Sequence, residues 1–249
     1  MRNIKFVGSK NRISKHVAPI LQKCIDDNKV DTYYEPFVGG ANMIDKIRCK
    51  NRIGNDIHPQ LIAMFKALQE GWTPPRYVSE DEYNDVKINK EKYPDYYVGY
   101  VGFNTTFGAK YFGGYARGFK ADKVTPRNYV YEAFRNLIKQ IPQIKTVTFS
   151  CGDYLSNEYQ DIENAVIYCD PPYAMTTKYS TGEFDSNEFW NWCRKTGKNN
   201  YVFISEYSAP NDFECIWQKK VSTSLDVSNE RHSKENRVEK LFTYKRGKT

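Results

Sequence analysis

Apolar residues recur at helical spacing early in the chain. After a loop containing Gly8, the positions Ile13, Val17, Ile20, Leu21 and Cys24 share one face. Two segments then repeat one order. "TYYEPFVGGANMIDKI" reads as strand, glycine turn and helix. "NRIGNDIHPQLIAMFKAL" reads as a short strand to Asp56, a proline (Pro59) in the first turn of a helix, and an apolar-striped helix. Further on, "TVTFSCGDY", "NAVIYCDPPY" and "NYVFISEYS" read as strands, with a helix around Phe189 to Arg194. "KVSTSLDVS" and "EKLFTYKRG" close the chain as an antiparallel pair around a polar, basic loop. Successive strand–turn–helix units predict a parallel sheet with helices on both faces.

The stretch from residue 73 to 142 breaks that rhythm. Between Tyr100 and Arg127 it holds seven aromatics, five Lys or Arg and one acid, Asp122. Glycines punctuate it, and "NYVYEAFRNLIKQI" is helical in pattern. The expected organisation is an α/β domain, Rossmann-like and mostly parallel with an antiparallel C-terminal strand, formed by residues 1–72 and 143–249. Residues 73–142 are expected as an inserted, mainly helical subdomain with a hairpin.

Composition narrows the partners. The 249 residues carry 37 Lys and Arg against 30 Asp and Glu, a formal charge of +7, which suits a polyanion. Three histidines without ligand spacing and six dispersed cysteines without a C-x-x-C argue against a metal site, and none is expected. With no signal peptide and no apolar run of membrane-spanning length, the expected setting is cytoplasmic, in a bacterium or a phage-infected host.

Acids end successive strands. Glu35 precedes the turn with Gly39 and Gly40; Asp56 and Asp153 end the next two strands. Such a rim is where ligands bind in these sheets. The turn lacks the third glycine of a phosphate-binding G-x-G-x-x-G. Acceptors without phosphate donors favour a nucleoside carrying an amino-acid tail, S-adenosyl-L-methionine. The competing readings are a packing turn for the glycines and a helix cap for Asp56. At the fourth strand the chain turns through Asp170, Pro171, Pro172 and Tyr173, a rigid kink beside a carboxylate and an aromatic ring.

The set "KFVGSKNR", "EPFVGGAN", "GNDI" and "DPPY", in that order, resembles the Dam-type (D12 class) DNA adenine-N6 methyltransferases over nearly the whole chain. The resemblance implies a site-specific enzyme that moves a methyl group from S-adenosyl-L-methionine to N6 of a flipped-out adenine in double-stranded DNA. It implies catalysis by Asp170, Pro171, Pro172 and Tyr173: carboxylate and Pro171 carbonyl take the two amino hydrogens, and the ring stacks the extruded base. Cofactor contacts fall on Phe6, Gly8, Lys10, Glu35, Phe37, Gly39, Asp56, Asp153 and Asp170. DNA contacts fall on Lys5, Asn104, Lys110, Arg117, Arg127 and Arg237, the last in a basic loop before the final strand. Where Dam-like enzymes carry an arginine, this chain has Gly108, which leaves the recognised sequence open. A monomer, or two copies per site, is expected. N4-cytosine in DNA, adenine in RNA, or a catalytically silent DNA-binding relic are the alternatives.

Overall fold

A computed structural model describes residues 10–119, 122–156, 158–172, 184–221 and 237–245. Helix α1 (Asn11–Asn28) leads into β1 (Thr32–Glu35). β2 (Asn51–Asp56) and α2 (Pro59–Glu70) follow. Helices α3 (Glu80–Ile88), α4 (Asp95–Asn104) and α5 (Tyr129–Ile144) separate these from β3 (Val147–Cys151) and β4 (Ala165–Cys169). The chain continues through α6 (Ser186–Thr196), β5 (Tyr201–Glu206), β6 (Phe213–Val221) and β7 (Arg237–Tyr244).

The strands form one seven-stranded sheet in the order β3-β2-β1-β4-β5-β7-β6. β1 to β5 pair in parallel, and β7 runs antiparallel to both β5 and β6. The expected mixed α/β sheet with an antiparallel C-terminal strand is what forms. Side chains alternate across each strand, so the sheet feeds two cores. Tyr33, Val166, Tyr168, Phe203 and Leu241 pack with Val17 and Leu21 of α1 and with Leu61 and Phe65 of α2. Tyr34, Ile167, Cys169, Ile204 and Phe242 pack with Phe189, Trp192 and Cys193 of α6.

Two elements differ from expectation. After the glycine turn the chain makes only a 3-10 turn, Ile44–Lys46, rather than a full helix. Its carbonyls are claimed from elsewhere: the Arg52 guanidinium donates to the Ile44 and Ile47 oxygens, at 3.0 and 3.3 Å. Among the described residues the strand paired with β7 is Phe213–Val221, which begins well before the expected stretch 220–228; of that stretch only Lys220 and Val221 are described, and both lie in it. Phe213 is buried while most of β6 is exposed, as befits an edge strand.

The segment 73–142 is mainly helical and shares the core of the sheet domain. Tyr83, Val98, Tyr100 and Val101 join Leu61, Met64 and Phe65 in one apolar cluster. Gly99 permits this approach, because a Cβ there would sit 2.1 Å from the Gln60 carbonyl oxygen on α2. Tyrosines fasten its loops: Tyr100 donates to the Pro75 oxygen, Tyr115 to the Val78 oxygen, and Tyr83 accepts the Gly114 N–H, all within 2.7–3.0 Å. Antiparallel bridges join Thr106 to Tyr115 and Phe119 to Pro126. α5 runs through the expected boundary at residue 142 and packs against the turn Ile44–Lys46.

Candidate active site

From β1 the chain steps outward to β2 and β3, then returns to the other flank of β1 as β4 and β5. The strand order therefore reverses between β1 and β4, and the crevice at their carboxyl ends is the natural ligand position. Asp153, Asp56, Glu35 and Asp170 stand at the ends of β3, β2, β1 and β4, four neighbouring strands in that spatial order. At the usual strand spacing the row extends about 14 Å.

β2 ties this rim together. The Asn55 amide, fully buried, donates to the Pro36 oxygen at 3.2 Å and to the Gly152 oxygen at 2.8 Å. Its own oxygen accepts the Ser150 hydroxyl at 2.9 Å. One side chain thus fastens the turns after β1 and β3 to β2. Gly54 lets the glycine turn lie close, since a Cβ there would come within 2.8 Å of Val38 Cγ2. On the outer side, Gln140 of α5 donates to the Gly40 and Ala41 oxygens at 3.1 and 2.9 Å.

Asp56 completes the scaffold. Its Oδ2 accepts the Gly39 N–H and its Oδ1 the His58 N–H, each at 3.0 Å. Burial pushes its carboxyl up to about 6, against the pull of the His58, Gly39 and Ile57 N–H groups. The two bonds leave lone pairs for further donors. Glu35 is buried and accepts the Tyr33 hydroxyl at 2.7 Å. Burial, reinforced by the charges of Asp45 and Asp170, drives its carboxyl well above the usual range.

Asp170 meets a cation. Lys10 Nζ lies 2.9 Å from Asp170 Oδ1 and 3.9 Å from Glu239 Oε2 on β7. Burial raises the Asp170 carboxyl, and the Lys10 charge and hydrogen bond oppose the rise. Burial acts to lower the Lys10 ammonium, but Asp170 and Glu239 outweigh it and hold the lysine above its ordinary value. Pro171 is buried and Pro172 half-buried. Phe37 forms the apolar wall, its ring 5.0 Å from Tyr154 and 5.9 Å from Phe189. Asp153 is exposed and caps its own turn by accepting the Leu155 N–H at 2.8 Å.

The structure brings Lys10, Glu35, Gly39, Asp56 and Asp170 to one rim. Lys5, Phe6, Gly8 and Tyr173 lie outside the described residues, as does the Arg237 side chain. The expected DNA contacts stand apart and are variously engaged. Asn104 is buried, its amide donating to Met64 Sδ at 3.3 Å. Lys110 is exposed. Arg117 is exposed and paired with Glu80. Arg127 grips Glu132 through two 2.6 Å bonds and stacks 4.5 Å above the Tyr129 ring. Sequence reasoning missed Asn55, Gln140 and Glu239. Only Glu239 carried a signal: it falls in register with Leu241, on the buried face of its strand.

An α/β sheet in this order, with acids at the strand ends, a turn without a phosphate cradle and Asp-Pro-Pro beside the switch point, is a Rossmann-like arrangement of the kind the sequence resemblance implies. Comparison with known proteins agrees. The family described as D12 class N6 adenine-specific DNA methyltransferase matches residues 6–100 and 74–238. The chain belongs to that family. It is 23% identical over 263 residues to the modification methylase StsI of Streptococcus sanguinis, covering 98% of this chain and 38% of that protein. It is 24% identical over 257 residues to the type II methyltransferase M.MjaIII of Methanocaldococcus jannaschii, covering 84% and 85%. Against M.FokI of Planomicrobium okeanokoites the figures are 21% over 211 residues, 77% and 31%. The chain therefore spans well under half of StsI and M.FokI and most of M.MjaIII. The solved structure of SMU.472 complexed with SAH resembles it at a TM-score of 0.31 and 11% identity, over 82% of this chain and 52% of that one, too slight a likeness to carry weight.

Proposed function

We propose that this chain is a site-specific DNA adenine-N6 methyltransferase that takes its methyl group from S-adenosylmethionine. The observation that supports it best is the Asp170-Pro171-Pro172 segment at the sheet's switch point, beside a rim of carboxylates, in a chain of the D12 family.

The donor set fits that cofactor. Asp56 has lone pairs to spare for ribose hydroxyls. Glu35 and Asp170 place two carboxyl groups on the floor of the rim, where an incoming ammonium would favour their ionised forms against burial, and Phe37 offers an apolar wall. Asp153, three strands from Asp170, would face the nucleoside end, and Phe6, Gly8, Lys10 and Gly39 would complete the contacts. When bound, S-adenosylmethionine supplies an electrophilic methyl on a sulfonium.

The protein's own work is positioning. An exocyclic amino group is a poor nucleophile, because its lone pair is delocalised into the ring. Asp170 accepts one amino hydrogen and the Pro171 carbonyl the other, drawing nitrogen toward tetrahedral geometry; a charged hydrogen bond of this kind is worth about 1.5–3 kcal/mol. The Lys10 charge, 2.9 Å from Oδ1, favours the ionised, accepting form of Asp170 against the burial that opposes it. Tyr173 stacks on the extruded base. Lys5, Asn104, Lys110, Arg117, Arg127 and Arg237 are the proposed DNA contacts, on a recognition subdomain formed by residues 73–142 and on the last hairpin. We place the enzyme in the cytoplasm, acting on double-stranded DNA as a monomer.

The test is transfer of labelled methyl from S-adenosylmethionine to unmethylated duplex DNA, followed by nucleoside analysis. N6-methyladenine at a defined sequence is the expected product. N4-methylcytosine, label only in RNA, or no incorporation would each overturn the reading.

A further inference from the structure

Among the described residues, three carboxyl groups (Glu35, Asp170 and Glu239) and the Lys10 ammonium crowd the rim on a single face of the sheet. Side chains alternate along a strand, so Tyr33 and Glu35 of β1, Tyr168 and Asp170 at the end of β4, and Glu239 and Leu241 of β7 turn the same way. Tyr33, Tyr168 and Leu241 indeed lie in one buried cluster with α1. Glu206, the last residue of β5, pairs with Lys240. Glu239 therefore stands just past the end of β5, two strands from Asp170. Lys10, at the N-cap of α1 and only 6% exposed, reaches across that gap to both acids. The side chains of Asp170 and Glu239 are 22% and 16% exposed.

This arrangement bears on how Asp170 can work. Lys10 occupies part of the accepting capacity of Asp170 through Oδ1, and an ammonium that leans toward Glu239 frees more of that capacity for an incoming amino group. An ammonium released from its one carboxylate inside a protein would be strongly destabilised. A second carboxylate within reach removes that penalty. We infer that Glu239 is a positioning residue for Asp170, acting through Lys10: it holds the ammonium while Asp170 turns hydrogen-bonding capacity over to the substrate. The inference rests on the methyl-transfer reading and adds a residue that the D-P-P-Y segment does not contain. Fastening α1 to the sheet is the competing role for the same contact, and it would act on stability alone.

A double-mutant cycle on the whole chain separates the two: Glu239→Gln, Lys10→Met, and both together. Each is read for thermal stability, for S-adenosylmethionine affinity by calorimetry, and for kcat and KM on unmethylated duplex DNA. Glu239→Gln is expected to lower kcat about tenfold with little change in the KM for DNA, and to weaken cofactor affinity several-fold. The double variant should fall no further than Lys10→Met alone, since coupled residues are non-additive. Additive losses, or a Glu239→Gln variant that loses stability while keeping full kcat and cofactor affinity, overturn the inference. Should Lys10→Met not fold, Glu239→Asp decides: the retained charge restores most of the lost rate, and no restoration overturns it. If the parent methylates no DNA, the functional reading fails separately, and coupling in cofactor affinity still decides Glu239.

Discussion

Replacing Asp56 by asparagine removes a charge where β2 meets the glycine turn, and its effect on stability should change with pH. Burial holds the folded carboxyl at about 6 against an ordinary value of 3.8. The folded state therefore binds this proton more tightly than the unfolded chain does. Stability from the protonated form is fully present below 3.8 and is lost as the pH rises through 6. At about 1.36 kcal/mol per pH unit, the ceiling on that loss is about 3 kcal/mol. Acidifying from pH 7.5 to 4.5 should recover about 2 kcal/mol of it, because the unfolded carboxyl is still mostly ionised at the lower pH. Asparagine cannot ionise. Its oxygen can serve the Gly39 or the His58 N–H, and the other N–H then faces an amide nitrogen, a loss of about 1 kcal/mol. The variant should thus be about 2 kcal/mol more stable than the parent near pH 7.5 and level with it near 4.5. Urea unfolding of both proteins at both pH values measures this, and taking the difference cancels the other titrating groups. A parent–variant difference that moves by less than about 0.5 kcal/mol would show that the Asp56 carboxyl is not strained by burial. The same substitution should weaken S-adenosylmethionine affinity at least about tenfold, for want of a charged acceptor.

Asp170→Asn should cut methyl transfer by at least about 10²-fold while leaving duplex affinity nearly intact, since phosphate contacts supply most of it; a parallel loss in DNA binding would place Asp170 elsewhere. Asn55→Ala strands the Pro36 and Gly152 oxygens and the Ser150 hydroxyl, and chemical denaturation should register a loss of about 3–5 kcal/mol. A loss below about 1 kcal/mol would mean that water replaces the amide. Arg117→Ala should lower duplex affinity uniformly across sequences and make its salt dependence shallower by about one unit. Its exposed pair with Glu80 is worth at most about 1 kcal/mol and releases the guanidinium readily. Arg127, held by two bonds to Glu132, should matter less, and a larger effect at Arg127 than at Arg117 would invert that ranking.

Period and punctuation made much of this molecule legible. Apolar residues at helical spacing gave α1, and short apolar runs ending in Glu35, Asp56, Asp153 and Asp170 gave the parallel strands and their acidic rim. Local pattern failed where distant side chains decide. The residues after the glycine turn carry helical spacing, yet Gln140 and Arg52 take carbonyls from Gly40 to Ile47 and hold a different path. The edge strand Phe213–Val221 has one apolar face interrupted at the irregularity between Cys215 and Trp217, so its alternation is broken. Asn55 was invisible because a buried amide at a strand end looks like any turn residue until its three partners, two turn carbonyls and a hydroxyl of β3, are in place.

The two halves of the proposed task meet within three residues. Asp56 closes the glycine turn with one oxygen and takes the His58 N–H with the other. The His58 ring, in turn, lies edge-on against Phe103 and Tyr111 of the inserted segment, with centroids 4.8 and 4.3 Å away. Burial and the nearby Lys90 charge lower this histidine to about 4, so the ring stays neutral at physiological pH and packs as an aromatic. One strand end thus carries the carboxylate proposed to face the cofactor and, two residues on, the ring that packs against the inserted segment. The inserted segment and the rim are joined through packed rings. A shared core, with Gly99 of α4 pressed on α2, keeps that path short. For the enzyme proposed above, which would join recognition of a sequence to extrusion of one base, such a short path has physical value: little of the binding energy would be lost to slack between the two sites.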